Sequence, residues 1–118
     1  MSTKQTHSRD FPLGEFEHMV LLAVLRLRDA AYGPDISEEL ERNAGRSVSR
    51  GALYSSLARL EAKGFLAWRL EAPGADRGGH AKRRFRLTAS GLEAVRHYRT
   101  VLTRMWSSLD DVLGEGAR

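Results

Sequence analysis

The chain contains no cysteine. Disulfides, thiolate metal sites and cysteine nucleophiles are excluded at once. Long hydrophobic runs are missing too. The longest apolar stretch is Met19 to Leu25, far short of the roughly 20 residues a membrane helix needs. Residues 1–10 are polar and carry no signal-peptide core, so a cytoplasmic location is expected. Catalytic patterns are absent as well. His7, His18, His80 and His97 form no HExxH or other metal-ligand spacing. Asp110 and Asp111 are adjacent on an expected helix, so they point about 100° apart and cannot flank a substrate as an acid/base pair. Gly74 to His80 is glycine-rich, but it lacks the GxxxxGK[ST] pattern and joins two strands, so it is no phosphate-binding loop. No enzyme, cofactor or metal site is expected.

What is present describes a soluble globular chain. Its 118 residues suit one domain, and 42% hydrophobic with 29% charged residues rules out disorder throughout. The net charge of +4 is unevenly spread. Arg46 to Arg86 holds ten Lys/Arg against three Asp/Glu, whereas Asp10 to Gly45 holds three against eight. Positive charge concentrated in one stretch is the footprint of a polyanion-binding face; a solvated basic surface is the plainer alternative.

The pattern divides the chain into a flexible N-terminal arm (1–10), a folded unit (11–88) and a C-terminal helical segment (89–118). A first helix is expected from about Leu13 to Arg28, with Leu13, Phe16, Val20, Val24 and Leu27 on one face. Met19, Leu21, Leu22 and Leu25 widen the apolar surface, so this helix must be covered on more than one side. Gly33 is the expected N-cap of a second helix, with Pro34 at its first position and Asn43 and Gly45 stopping it. Ser49 caps a third helix from Arg50 to about Lys63. Phe65 to Glu71 and Lys82 to Leu87 alternate with period two and read as strands joined by a Gly/Pro-rich tip. Thr88 caps a last helix to about Leu113. The order is helix, helix, turn, helix, strand, tip, strand, helix. That is an α+β, mainly α chain: a winged helix-turn-helix with a C-terminal dimerisation helix.

On a helical wheel, Leu53, Leu57 and Leu60 of the third helix face the core. The opposite stripe, Gly51, Ser55, Ala58 and Ala62, is small throughout, where a plain solvent face more often carries Glu, Lys or Gln. Small residues flanked by donors suit close approach to a DNA groove. Arg50, Ser55 and Arg59 could reach base edges or phosphates, and Tyr54 could donate to a phosphate. Ser49 is first a cap. The strand Lys82-Arg83-Arg84-Phe85-Arg86 has four cations in five residues beside a tip containing Arg77, Gly78, Gly79 and His80. Cations on an edge strand can simply block aggregation; this many beside a basic tip favour phosphate or minor-groove contact. Candidate DNA contacts are therefore Ser49, Arg50, Gly51, Tyr54, Ser55, Arg59, Arg77, Gly78, Gly79, His80, Lys82 and Arg84.

In the last helix Val95, Tyr98, Leu102, Met105, Leu109 and Val112 follow 3,4 spacing, a heptad seam of about three repeats. Such a short seam would serve if it also packed on the over-apolar first helix. The expected dimer interface comprises Phe16, Val20, Tyr98, Leu102, Met105, Trp106, Leu109 and Val112. A monomer with the last helix folded back on its own first helix is the alternative. Trp106 lies beside the seam and would appear twice near a two-fold axis. There it is either a plain interface residue or a stacking surface for a flat hydrophobic effector.

The segments LGEFEHMVLLAVL, AYGPDISEEL, VSRGALYSSLARLEAKGFL and RGGHAKRRFRLTASG, with the C-terminal helix, resemble the PadR-like family of transcriptional regulators. The resemblance covers nearly all of residues 13–113. It implies a winged-helix homodimer that binds double-stranded DNA at a palindromic operator and represses its own or a neighbouring operon. It maps DNA contact to Arg50, Gly51, Tyr54 and Ser55 and to the Gly78-Gly79 tip with its basic flank. The single C-terminal helix is similar to the compact subgroup, some of whose members bind planar hydrophobic drugs between interface tryptophans; Trp106 sits in a similar place. Arg50 stands where the family more usually has an apolar residue before GALY. The alternative function is a dimeric winged-helix protein-interaction module without specific DNA binding. An acidic or bulky third-helix face would have favoured it.

Overall fold

The computed structural model describes residues 13–72 and 81–114. The elements in order are α1 (Glu15–Leu27), a 3₁₀ turn (Arg28–Ala30), α2 (Gly33–Ala44), α3 (Arg50–Ala62), β1 (Leu66–Glu71), β2 (Lys82–Leu87), α4 (Ala89–Trp106) and α5 (Asp110–Leu113). No helix among the described residues is long and apolar enough to cross a membrane. The expected N-terminal arm lies outside the described residues.

Local chemistry accounts for most boundaries. Ser49 Oγ accepts the Ala52 N–H at 3.1 Å, opening α3. Thr88 Oγ1 accepts the Gly91 N–H at 3.0 Å, opening α4. Gly45 ends α2 at φ 65°, a left-handed conformation that costs glycine little. Tyr32, rather than Gly33, is the N-cap of α2, so Gly33 and Pro34 both belong to its first turn.

The core lies where α1, α2, α3 and the sheet meet. Val20, Leu21, Ile36, Leu53, Leu57 and Leu60 are fully enclosed there. β1 and β2 pair antiparallel, with Trp68 opposite Phe85 and Arg69 opposite Arg84. Phe85 points into the core while Arg84 and Arg86 leave by the other face. A third backbone contact fastens the sheet to the start of α2: Tyr32 bridges Arg84, and the Phe85 N–H donates to Ala31 O at 2.9 Å. The wing root therefore cannot swing independently of the helix-turn-helix.

One buried carboxylate sets α3 against α1. Glu17 Oε1 accepts from Lys63 Nζ at 2.7 Å and from the Gly14 N–H at 3.3 Å. Its Oε2 accepts from Arg59 Nε at 3.1 Å. Burial alone would raise the Glu17 pKa, but the hydrogen bonds from Lys63, Arg59 and Gly14 outweigh it and hold the carboxyl below its ordinary value. A depressed folded pKa contributes stability above the unfolded value and loses it as pH falls through the folded value. Glu17→Gln is expected to cost about 1–2 kcal/mol near neutral pH, since both cations are partly exposed. The difference should vanish below the folded pKa. Denaturant titrations of both proteins at neutral and strongly acid pH check this; an equal deficit at both would refute the role given to the charge.

The last helix departs from the expected continuous span. α4 ends at Trp106, Ser108 takes φ 66°, and only the short α5 follows. Serine side chains compete for backbone hydrogen bonds, and residues 102–114 are all exposed, so no packing offsets that competition within one chain. The heptad seam consequently runs without a break only as far as Met105.

Candidate nucleic-acid interface

α3 presents the face the wheel predicts. Leu53, Leu57 and Leu60 are buried, while Gly51, Ser55, Ala58 and Ala62 are exposed. At its N-terminal end a groove of about 720 Å³ opens between α2, α3 and β2. Arg50, Gly51 and Tyr54 line it from α3, Lys82 and Arg83 from the wing, and Tyr32, Gly33 and Pro34 from the start of α2. Among the described residues lining it there are three cations and no carboxylate.

Aromatic rings order those cations. The Arg50 guanidinium lies 5.7 Å from the Tyr54 ring centroid, and Lys82 Nζ lies 5.9 Å from that of Tyr32. Arg83 stacks over Trp68 at 4.5 Å. The Tyr54 hydroxyl rests against Gly33 so closely that a Cβ built there would lie 1.9 Å from it. Tyr54 is thus first a spacer between α2 and α3. Its edge borders the groove.

Two of the candidate contacts already have partners within the chain. Arg59 donates to Glu17 and to the buried Ser56 hydroxyl at 3.0 Å, while its side chain stays more than half exposed. Arg84 is held by Glu71 at 2.8 Å and reaches Asp29 O at 3.5 Å, with its side chain three-quarters covered. Both acids lie on other elements, where a helical wheel or strand alternation does not register them. Arg77, Gly78, Gly79 and His80 lie outside the described residues. Tyr32 and Arg83 are additions. Arg83 shares the Phe85 face by alternation, stacks there on Trp68, and also lines the groove.

The expected dimer residues also separate. Val20 is fully buried in the protomer's own core. Phe16 is half-buried beneath the Arg46 guanidinium at 5.1 Å. The Tyr98 hydroxyl donates to Leu13 O at 2.6 Å and accepts the Leu13 N–H at 3.2 Å, clasping α4 to the start of α1. These three are used inside the chain. Leu102, Met105, Trp106, Leu109 and Val112 are exposed, joined by Leu22 and Leu25 on the opposite side of α1 from Phe16. A second groove of about 720 Å³, bounded by His18, Leu22, Leu25, Leu102 and Trp106 with Arg96 and Arg99 on its rim, runs along this face. His18 meets the Tyr98 ring edge-on at 4.9 Å, and burial pushes its pKa down.

The sequence profile of the transcriptional regulator PadR-like family matches residues 21–97, well over half of the chain. The chain belongs to the PadR-like family. It is therefore a transcriptional regulator and not an enzyme. No curated protein matches the sequence. Solved structures share the winged-helix fold. A PadR-like regulator from Bacillus cereus is 20% identical, with a TM-score of 0.65 over 83% of this chain and 90% of that one. A PadR-family regulator from Eggerthella lenta is 23% identical, with a TM-score of 0.61 over 96% of each chain. Bacillus subtilis PadR, solved in complex with operator DNA, is 22% identical, with a TM-score of 0.58 over 72% of this chain and 46% of that one. The described elements of this PadR-like chain thus carry the shared fold, and its groove chemistry is its own.

Proposed function

We propose that this PadR-like chain is a homodimeric operator-binding repressor of its own or a neighbouring operon. The observation that carries this reading is the groove joining the start of α3 to the wing root, which among the described residues is lined by three cations and no carboxylate. Arg50 and Ser55 offer donors to base edges, Gly51 lets the backbone approach, and Lys82 and Arg83 meet phosphates. Arg77, Gly78, Gly79 and His80, with their basic and glycine-rich sequence, are proposed as further DNA contacts. The exposed apolar face of Leu22, Leu25, Leu102, Met105 and Trp106 supports pairing through α1 and α4, so the operator is palindromic. A small hydrophobic effector stacking on Trp106 at this face would release the DNA by shifting the two α3 helices relative to one another.

The test is a gel-shift titration against the DNA upstream of its own gene at two salt concentrations. The wild type should bind tightly and lose affinity steeply with salt. Arg50→Ala/Lys82→Ala should bind roughly 10- to 100-fold more weakly. Leu102→Asp, run alongside, should sediment as a monomer and lose the tight complex. Wild-type binding no better than to random DNA, or a double variant that binds equally well, sinks the reading.

A further inference from the structure

The outward face of the wing sheet carries a second concentration of positive charge. Arg69 and Arg84 stand directly opposite each other across the strands, an arrangement that is unfavourable for like charges. Arg86 lies two residues further along the same face, and Arg28 approaches from the end of α1. Together they line a depression of about 270 Å³ with Asp29 and the edge of Phe85. Glu71 bridges Arg84 and Arg69, at 2.8 and 3.5 Å. Arg28 and Arg86 have no carboxylate partner among the described residues, and the side chain of Arg69 is mostly exposed. Arg28 is also held at φ 56°, a conformation L residues rarely adopt. Four guanidiniums meet two acids here, Glu71 on Arg84 and Arg69 and Asp29 in the lining, which leaves Arg28, Arg86 and the exposed Arg69 with donors for an anion's oxygen acceptors.

Alternation places Lys82, Arg84 and Arg86 on one face of β2. Lys82 also lines the groove beside α3, so the basic strip is continuous from that groove to the depression. It spans about 13 Å along the strand, the axial reach of about four phosphates of one DNA strand. We infer that the depression bounded by Arg28, Arg69 and Arg86 is a second phosphate-binding surface that grips duplex DNA flanking the operator, independently of its sequence. This rests on the operator-binding reading above. Continuity with the groove singles out DNA over an acidic protein segment. Contacts there carry no base information; they lengthen the footprint and favour duplex that curves around the wing.

The test compares an operator duplex of about two helical turns with the same site extended by about one turn of random sequence at each end, by fluorescence anisotropy across a salt series. The wild type should bind the longer duplex more tightly. Its salt slope should steepen by about 0.9 for each added phosphate, which is roughly 3-fold in affinity per phosphate between 50 and 200 mM salt. Arg28→Gln/Arg69→Gln should bind the short duplex like wild type and gain nothing from the flanks. Arg28→Lys/Arg69→Lys, which keeps the charges, should retain most of the gain. No flank effect in the wild type overturns the proposal, as does an undiminished gain in the Gln variant or a Gln variant weakened equally on both duplexes. A wild type that binds neither duplex better than random sequence instead overturns the operator reading itself, and this one with it.

Discussion

Gly91→Ala is expected to lower stability by about 2–3 kcal/mol and Tm by roughly 10–20 °C. Gly91 sits in the first turn of α4, pressed onto the junction of α3 and β1. A Cβ there would stand 2.2 Å from the Phe65 carbonyl oxygen, 3.1 Å from its carbon and 3.3 Å from Leu87 Cγ. The wall is backbone, and it is fixed. Phe65 O already accepts the Thr88 N–H at 3.0 Å, and the Thr88 hydroxyl donates to Gly64 O at 2.6 Å. Alanine favours a helix by about 1 kcal/mol over glycine, which cannot offset moving α4 off the sheet. Thermal and denaturant unfolding measure the effect. A variant melting within a degree or two of wild type would show that the contact yields without cost.

Gly33→Ala should behave in the opposite way: nearly normal unfolding, but operator affinity roughly tenfold or more weaker, about 1.4 kcal/mol. The obstructing atoms here are the Tyr54 hydroxyl at 1.9 Å and ring carbon Cζ at 2.7 Å. They form the far end of a half-exposed side chain that can rotate aside. Rotation removes the ring from beneath Arg50 and pushes it into the groove, so the cost falls on recognition instead of folding. The mechanism predicts non-additivity. Gly33→Ala/Tyr54→Ala should bind no worse than Tyr54→Ala alone, because without the ring there is nothing left to displace. Wild-type operator affinity in the Gly33→Ala variant would refute the spacer role of Tyr54. The two glycines together separate a wall of backbone from a wall of side chain.

The contrast explains what could be read from the residues in order. Caps and stops are local. Ser49, Thr88 and Gly45 act on backbone groups within a few residues, and all three are found in their expected roles. Period-two alternation in 66–71 and 82–87 likewise separates the two sides of a ribbon, setting Phe85 apart from Lys82, Arg84 and Arg86. The small stripe on α3 was visible because helical geometry alone brings Gly51, Ser55, Ala58 and Ala62 together.

Other features depend on partners distant in sequence. Arg50 projects from the start of α3 and Arg59 flanks its small stripe, about 180° apart on the wheel; the pattern within the helix gives no sign that Glu17, 42 residues from Arg59, captures only the latter. Lys82 and Arg84 alternate onto the same face, yet Glu71 takes Arg84. The first helix is apolar around most of its circumference, so periodicity did not distinguish the core side, with Phe16 and Val20, from the outer side, with Leu22 and Leu25. Ser107 and Ser108 fall outside the a and d positions, so the heptad pattern passes over the break that ends α4.

By itself, then, the sequence determined the winged helix-turn-helix order, the basic stretch and the small-faced third helix, because each follows from backbone hydrogen bonding, side-chain period or local charge. Tertiary structure alone decided which cations stay available and which apolar face is left uncovered. Availability is pairwise: a guanidinium is committed only when folding brings a carboxylate within hydrogen-bonding reach, and an apolar face is spare only when the rest of the core has already been filled.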